Sequence, residues 1–277
     1  MKFLNLSPAL RYTPEVPYES FVFHGGEPHI KLSVTDLRPD DTVRITLQAT
    51  SADQWILALL AADALKRQRV GSVELFIPYF PGARQDRVMQ PGEPLSAAVF
   101  AGLIKSASFD RILIFDPHSD VTPALLDRCT VLGNAPFVRA AMQRIKSGRP
   151  LYLIAPDSGA AKKIQHLAEA LGHHHIVFCA KNRDVTTGKL SRPAVFADDL
   201  GGADCLIVDD ICDGGGTFMQ LAEALKAKNA GRLFLAVSHG IFSKGRSSLL
   251  TWFDEVFTTN SFYAGTEGLI RLEDIYP

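Results

Sequence analysis

Carboxylates, glycines and a hydroxyl are concentrated in Asp209-Asp210-Ile211-Cys212-Asp213-Gly214-Gly215-Gly216-Thr217, which continues the apolar run Cys205-Leu206-Ile207-Val208. Three successive glycines let main-chain N–H groups curl around an anion, and a helix beginning near Thr217 would aim its positive end at that anion. Asp209 and Asp210 fall at the carboxyl end of the expected strand, where open α/β sheets bind ligands. As ionised acceptors they suit vicinal hydroxyls or a hydrated metal ion. This combination predicts a sugar-phosphate site. The segment has no lysine in the Walker A position, so it does not read as a P-loop.

Four further clusters place polar groups at strand ends or in loops. In Pro81-Gly82-Ala83-Arg84-Gln85-Asp86-Arg87 two guanidinium groups flank an amide and a carboxylate. They either grip a polyphosphate, with Gln85 reading a base edge or a ribose, or form a surface ion-pair loop. His118, in Asp116-Pro117-His118-Ser119-Asp120, reads as a ligand for a divalent ion or phosphate, or as a structural turn histidine. Asp157, in Pro156-Asp157-Ser158-Gly159, reads as a metal ligand or as a cap for the next helix. Lys181-Asn182-Arg183, opening a polar loop that runs to Gly188-Lys189, suits a flap over transferring phosphates and equally an exposed hairpin. His173-His174-His175 follows a helix end at Leu171-Gly172 and is expected as a surface turn, because consecutive residues rarely converge on one ion.

The elements that must position these residues show an internal repeat. Ala62-Asp63-Ala64-Leu65-Lys66, then Gly71 and a strand from Val73 to Ile77, matches Ala222-Glu223-Ala224-Leu225-Lys226, then Gly231 and a strand from Leu233 to Val237, at an offset of 160 residues. Each copy reads as helix, glycine stop and strand. The same offset lays Val43-Ile45-Leu47 over Cys205–Ile207 and puts Ala49 and Thr50 where Asp209 and Asp210 stand. The first copy therefore lacks the acidic pair and the glycines. Arg111 to Phe115 is expected to close the first half, and Leu151 to Ala155 and Ile176 to Cys179 to supply strands of the second. Pro94 to Lys105 and Gly159 to Leu171 read as amphipathic helices. The expected architecture is α/β, with two similar domains, 1–136 and 137–277, each a mostly parallel sheet flanked by helices.

A chain of 277 residues with 47% apolar and 21% charged residues is globular, and its length favours two domains over one. The formal charge of −1 supplies no field for gathering nucleic acid, so bound phosphate is expected in a local site. Four cysteines without a C-x-x-C pair, no signal segment and no long apolar span point to a reducing cytosol, with no membrane partner.

Taken in order and spacing, Ala83-Arg84-Gln85-Asp86-Arg87, Asp116-Pro117-His118, Pro156-Asp157-Ser158-Gly159, Lys181-Asn182-Arg183 and Val208 to Thr217 resemble the ribose-phosphate pyrophosphokinases, the phosphoribosyl pyrophosphate synthetases. The resemblance implies two domains of phosphoribosyltransferase type and transfer of the β,γ-diphosphoryl group of ATP to O1 of ribose 5-phosphate, releasing AMP. It implies that Asp213, Gly214, Gly215, Gly216 and Thr217 hold the 5-phosphate while Asp209 and Asp210 serve the ribose. Arg84, Gln85, Asp86 and His118 would bind ATP on the first domain, with Phe23 and Glu27 reaching the adenine from a neighbouring subunit of a homo-oligomer, at least a dimer. His118 and Asp157 would carry Mg2+, and Lys181 and Arg183 would be catalytic. Gly25 stands where the family has a carboxylate, and Val88-Met89-Gln90-Pro91-Gly92 lacks the basic residues that members use for an allosteric anion. A phosphoribosyltransferase and a catalytically inactive, synthetase-associated regulatory subunit are the alternatives. The first leaves Arg84 and Gln85 without a role, and the second conflicts with an intact Lys181 and Arg183.

Overall fold

Short apolar runs alternating with amphipathic helices bury their strands most completely in parallel sheets flanked by helices. The computed structural model, which describes residues 1–7, 9–146, 148–180 and 193–276, has this α/β architecture. The chain forms two units: Met1–Gly133 with the chain end from Tyr276, and Asn134–Ile275.

The first unit comprises β1 (Lys2–Asn5), β2 (Tyr18–Val22), β3 (Pro28–Leu32), β4 (Thr42–Thr46), α1 (Ala52–Arg67), β5 (Ser72–Ile77), α2 (Ser96–Ser106), β6 (Arg111–Phe115), α3 (Val121–Leu125) and β7 (Cys129–Leu132). Its five-stranded sheet runs β1-β4-β5-β6-β7 and is parallel throughout, while β2 and β3 form a separate antiparallel hairpin. Leu4, Ile45, Leu75, Ile77 and Ile114 pack against Trp55, Ala61, Leu65 and Ile104 of the helices in one apolar core.

The second unit comprises α4 (Ala135–Arg144), β8 (Leu151–Ala155), α5 (Ala161–Leu171), β9 (Ile176–Ala180), β10 (Ala194–Val195), β11 (Asp204–Cys212), α6 (Gly216–Lys226), β12 (Leu233–Gly240), β13 (Glu255–Thr259), β14 (Leu269–Ile270) and α7 (Leu272–Ile275). Its sheet runs β10-β9-β8-β11-β12-β13-β14, with only β10 antiparallel to its neighbour. Every residue of β12 is buried.

The doubling extends to backbone detail. Arg69 and Asn229, 160 residues apart, both take left-handed φ, 58° and 62°, and their N–H groups bond the carbonyls of Lys66 and Lys226 at 2.9 and 3.0 Å. These residues, not the glycines expected as stops, turn the chain out of each helix. Gly71 and Gly231 are needed for close approach: a Cβ on Gly71 would lie 2.9 Å from the carbonyl oxygen of Pro39, and one on Gly231 would collide with that of Gly202.

The constant offset fails upstream of the helices. Val43 pairs with Val73 and Cys205 with Leu233, so these strands correspond at an offset of 162. Leu47 and Gln48, rather than Ala49 and Thr50, stand in the places of Asp209 and Asp210. The difference is absorbed between strand and helix, where α1 has 16 residues and α6 has 11. A second repeat sits at another spacing. Phe109-Asp110 and Phe253-Asp254 each place a buried ring before an aspartate at the start of a strand. The Asp110 N–H donates to the Val73 carbonyl at 2.9 Å while its carboxylate accepts the Val73 N–H at 2.8 Å. Asp254 does the same with Leu233, at 2.8 and 3.0 Å.

Other expectations shift by local physics. β6 does not close the first sheet, because β7 adds an edge strand of four residues, all intermediate or exposed and so without the apolar run that marks a buried strand. α2 and α5 begin at Ser96 and Ala161, two residues later than read. Before α5 the chain first makes a turn, in which the Asp157 carboxylate accepts the Ala160 N–H at 3.0 Å. β11 runs on through Asp209 and Asp210 to Cys212, because β12 continues to pair with it as far as Gly240.

The aspartate clamps give the fold a direct test. Asp254→Ala removes a charged acceptor from a part-buried strand N–H and is expected to destabilise the second unit by about 1–3 kcal/mol. This is read as a lowered urea midpoint, with Asp110→Ala doing the same to the first unit.

Candidate active site

On the β8 side the ladder of β11 ends at Ile207, opposite Ile154, whereas on the β12 side it continues to Cys212. Asp209 and Asp210 thus lie on a stretch of strand flanked by a partner on one side only. Asp209 is half-buried and Asp210 is 7% exposed. Burial of the Asp209 carboxyl, then the negative charges of Asp210 and Asp157, push its pKa well above the ordinary carboxylate range. Sugar hydroxyls donating to it, or a cation beside it, would favour the ionised form and relieve that penalty.

Beyond Cys212 the chain turns through Asp213 and Gly214 to Gly215, whose φ of 76° requires glycine, and α6 begins at Gly216. The first N–H groups of a helix have no carbonyl of their own helix to bond. No acidic residue stands in the first turn of α6. The equivalent end in the first unit is closed by its own side chain. The Gln54 amide oxygen accepts the N–H groups of Thr50 and Ser51 at 2.6 and 3.2 Å, and Asp53 sets a negative charge in the first turn of α1. The two helix starts thus differ: α1 carries an acid and a side-chain cap, and α6 a glycine turn.

In the first unit the chain leaves β5 through Gly82, at φ 67°, and the Gln85 N–H closes onto the Gly82 carbonyl at 2.8 Å. Ala83 is buried and anchors the turn, which leaves Arg84 and Gln85 exposed. With Tyr79 and Gly82 they line a surface pocket of about 380 Å³. Asp86 turns inward: the Ser119 hydroxyl, then Arg87 and His118, hold its carboxyl below the usual range. It ties the Arg84 loop to the one after β6, where buried Asp116 takes a positive φ of 39° and leads to exposed His118.

Phe23 is 52% exposed at the tip of the hairpin, in edge contact with Phe21 at 4.9 Å and against His29 at 5.5 Å. Phe21, 45% exposed, was not singled out from the sequence, although its β2 register was the available signal. Glu27 is exposed and its carboxylate folds over Gly25, where an added Cβ would lie 2.5 Å from the nearer oxygen.

Several expected residues are not brought together. Lys181 and Arg183 lie outside the described residues. His118 belongs to the first unit and Asp157 to the second. Among the described residues no group of three or more His, Cys, Asp or Glu side chains is placed to hold a metal. The histidine triplet forms the turn between α5 and β9, with His173 Nε2 2.9 Å from the Leu151 carbonyl. Burial pushes the Cys179, Cys205 and Cys212 thiols up to about 12, which removes them as thiolate nucleophiles. No helix among the described residues is long and apolar enough to cross a membrane.

Comparison with known proteins agrees with this arrangement. Residues 13–108 match the model of the N-terminal domain of ribose phosphate pyrophosphokinase, and residues 137–268 match the phosphoribosyl transferase domain. The chain is 30% identical to the ribose-phosphate pyrophosphokinase of Streptomyces coelicolor over 236 residues, covering 82% of this chain and 70% of that protein. It is 29% identical to that of Corynebacterium efficiens over 254 residues, covering 90% and 78%. The crystal structure of phosphoribosylpyrophosphate synthetase from Mycobacterium smegmatis superposes with a TM-score of 0.77 at 25% identity, covering 93% of this chain and 86% of that one. With both domains matched in order and a relative at 30% identity aligned over most of its length, the chain belongs to the ribose-phosphate pyrophosphokinase family.

Proposed function

We propose that the chain transfers the β,γ-diphosphoryl group of ATP to O1 of ribose 5-phosphate, giving 5-phosphoribosyl 1-diphosphate and AMP. The observation that carries the assignment of roles is the glycine turn at Gly215, φ 76°, that leads into α6 directly after the strand bearing Asp209 and Asp210. The 5-phosphate sits on the main-chain N–H groups from Asp213 to Thr217, with the Thr217 hydroxyl donating to it, and Asp209 and Asp210 accept from the ribose hydroxyls. The sugar is thereby held at both ends, which fixes the direction of O1.

Arg84 and Gln85, standing out from a loop anchored by Ala83, bind the ATP phosphates and ribose. Asp86 acts by positioning: its bonds to Ser119 and Arg87 keep His118 and the Arg84 loop in register. Phe23 and Glu27 reach the adenine of a neighbouring subunit in a homo-oligomer, at least a dimer, and Phe21 and His29 back the Phe23 ring. Mg2+ is the metal proposed, with Asp157 and His118 each as a residue that would carry a magnesium site, the remaining coordination coming from phosphate oxygens and water. When bound, it withdraws charge from the diphosphoryl oxygens.

O1 of the ribose attacks the β-phosphorus, the bond from that phosphorus to the oxygen bridging it to the α-phosphorus breaks, and the electron pair leaves with AMP. The O1 proton passes to solvent. Lys181 and Arg183 neutralise the charge that grows on the transferring group, the main electrostatic demand of such a step. The setting is the cytoplasm.

Mixing the protein with ribose 5-phosphate, magnesium and ATP is expected to yield AMP and 5-phosphoribosyl 1-diphosphate in equal amounts, resolved by ion-exchange chromatography; ADP as the nucleotide product would overturn the reading. Lys181→Ala is expected to lower kcat by about two orders of magnitude or more while ribose 5-phosphate binding by calorimetry is largely retained. An equal fall in binding would assign Lys181 to the ground state.

A further inference from the structure

The glycines of the phosphate loop make room for a second loop as well as for an anion. After β12 the chain turns through residues 241–248 to a short 3-10 turn, Leu249–Thr251. The N–H groups of Ile241 and Phe242 both bond the Cys212 carbonyl, at 2.9 and 3.1 Å, so this loop is tied to the residue from which the phosphate loop springs. At its far end Leu249 is buried, and a Cβ on Gly215 would lie 2.8 Å from the Leu249 Cδ2. Between these anchors, a Cβ on Gly214 would lie 3.4 Å from both Cδ and Cε of Lys244. The lysine stem therefore lies across the bare backbone of Gly214.

Arg246 holds the Lys244 segment in place. Its guanidinium donates to the carbonyls of Val256 and Glu267 at 2.8 and 2.6 Å and lies over the rings of Phe242 and Tyr263, at 5.7 and 5.3 Å. Gly245, at φ 76°, makes the turn that sends Lys244 outward. Lys244 is exposed, and among the described residues its ammonium forms no ion pair or hydrogen bond. A cation with no carboxylate partner among the described residues, its stem packed on the glycine loop that leads into α6, has the chemistry of a phosphate ligand.

We propose that Lys244 is a substrate-binding residue whose ammonium pairs with the 5-phosphate of the acceptor sugar. The proposal rests on the assignment of the Asp213 to Thr217 loop to that phosphate, and the test separates the two. Titration calorimetry with ribose 5-phosphate is run on the full chain as wild type, Lys244→Met, Lys244→Arg and Thr217→Val. Lys244→Met keeps most of the stem and removes the charge. It is expected to weaken binding about tenfold, the scale of one charge-assisted hydrogen bond, to raise KM for ribose 5-phosphate rather than for ATP, and to flatten the dependence of binding on salt. Lys244→Arg is expected to restore most of the affinity. If Thr217→Val weakens binding and Lys244→Met leaves it within about twofold, the lysine is not a ligand and the loop assignment stands. If both variants bind as wild type, the loop assignment itself fails. A rise in KM for ATP alone would place Lys244 on the nucleotide and overturn the proposal.

Discussion

The candidate site depends on one ladder, the parallel pairing of β11 with β12 from Cys205↔Leu233 to Cys212↔Gly240. Because β8 stops pairing at Ile207, the last residues of β11 are held on one side only, and a backbone regular enough to aim side chains is left open on the other. That is where Asp209 and Asp210 stand. The same ladder delivers Cys212 beside Ile241 and Phe242, so the loops after β11 and β12 leave the sheet together and pack on each other. Had β12 been as short as β13, the acidic pair would lie in a loop and lose its fixed direction.

The first unit shows what this skeleton does without such an extension. Its corresponding ladder ends at Thr46↔Phe76, and apolar Leu47 and the amide Gln48 follow in place of two carboxylates. Gln54 then accepts the N–H groups of Thr50 and Ser51, just ahead of α1. In the first unit the exposed polar residues stand instead on the loop after the next strand, where Gly82 and buried Ala83 present Arg84 and Gln85. Two copies of one supersecondary pattern thus differ in their loops, while the strand clamps at Asp110 and Asp254 remain alike.

Much of this was legible in the residues themselves. Apolar runs bounded by glycine and proline located the central strands β6 and β8 to the residue, because buried parallel strands carry their burial in a continuous run. Edge strands such as β7 and β14 carry no such run, and they were not read. The repeat was legible at its helix and strand, where packing fixes the spacing. It slipped by two residues at the preceding loop, which nothing in the core constrains. The glycines were recognised as permissive, yet the reasons differ by position: φ at Gly215, backbone approach at Gly231 and a neighbouring loop at Gly214. Only the first kind belongs to the local sequence. Lys244 carried no signal of its own, since its place over Gly214 arises from residues 30 positions apart meeting across the ends of two strands.

The arrangement also accounts for the polarity of the acceptor site. Burial first, then the negative charges of Asp210 and Asp157, raise the Asp209 pKa, so on the proposed reading that end of the site favours hydroxyl donors or a cation. At the other end, on the proposed reading, the N–H groups of the first turn of α6 and the Lys244 ammonium would favour phosphate. Between Asp209 and Cys212 a strand advances about 10 Å at roughly 3.3 Å per residue, so the two fields are separate rather than cancelling. A sugar phosphate entering in reverse would set its phosphate against buried carboxylates and its hydroxyls against the helix end. On the proposed reading that pose would leave the phosphate without N–H donors and the hydroxyls without acceptors, so discrimination would come from mismatch at both ends as well as from the bonds made in the correct pose.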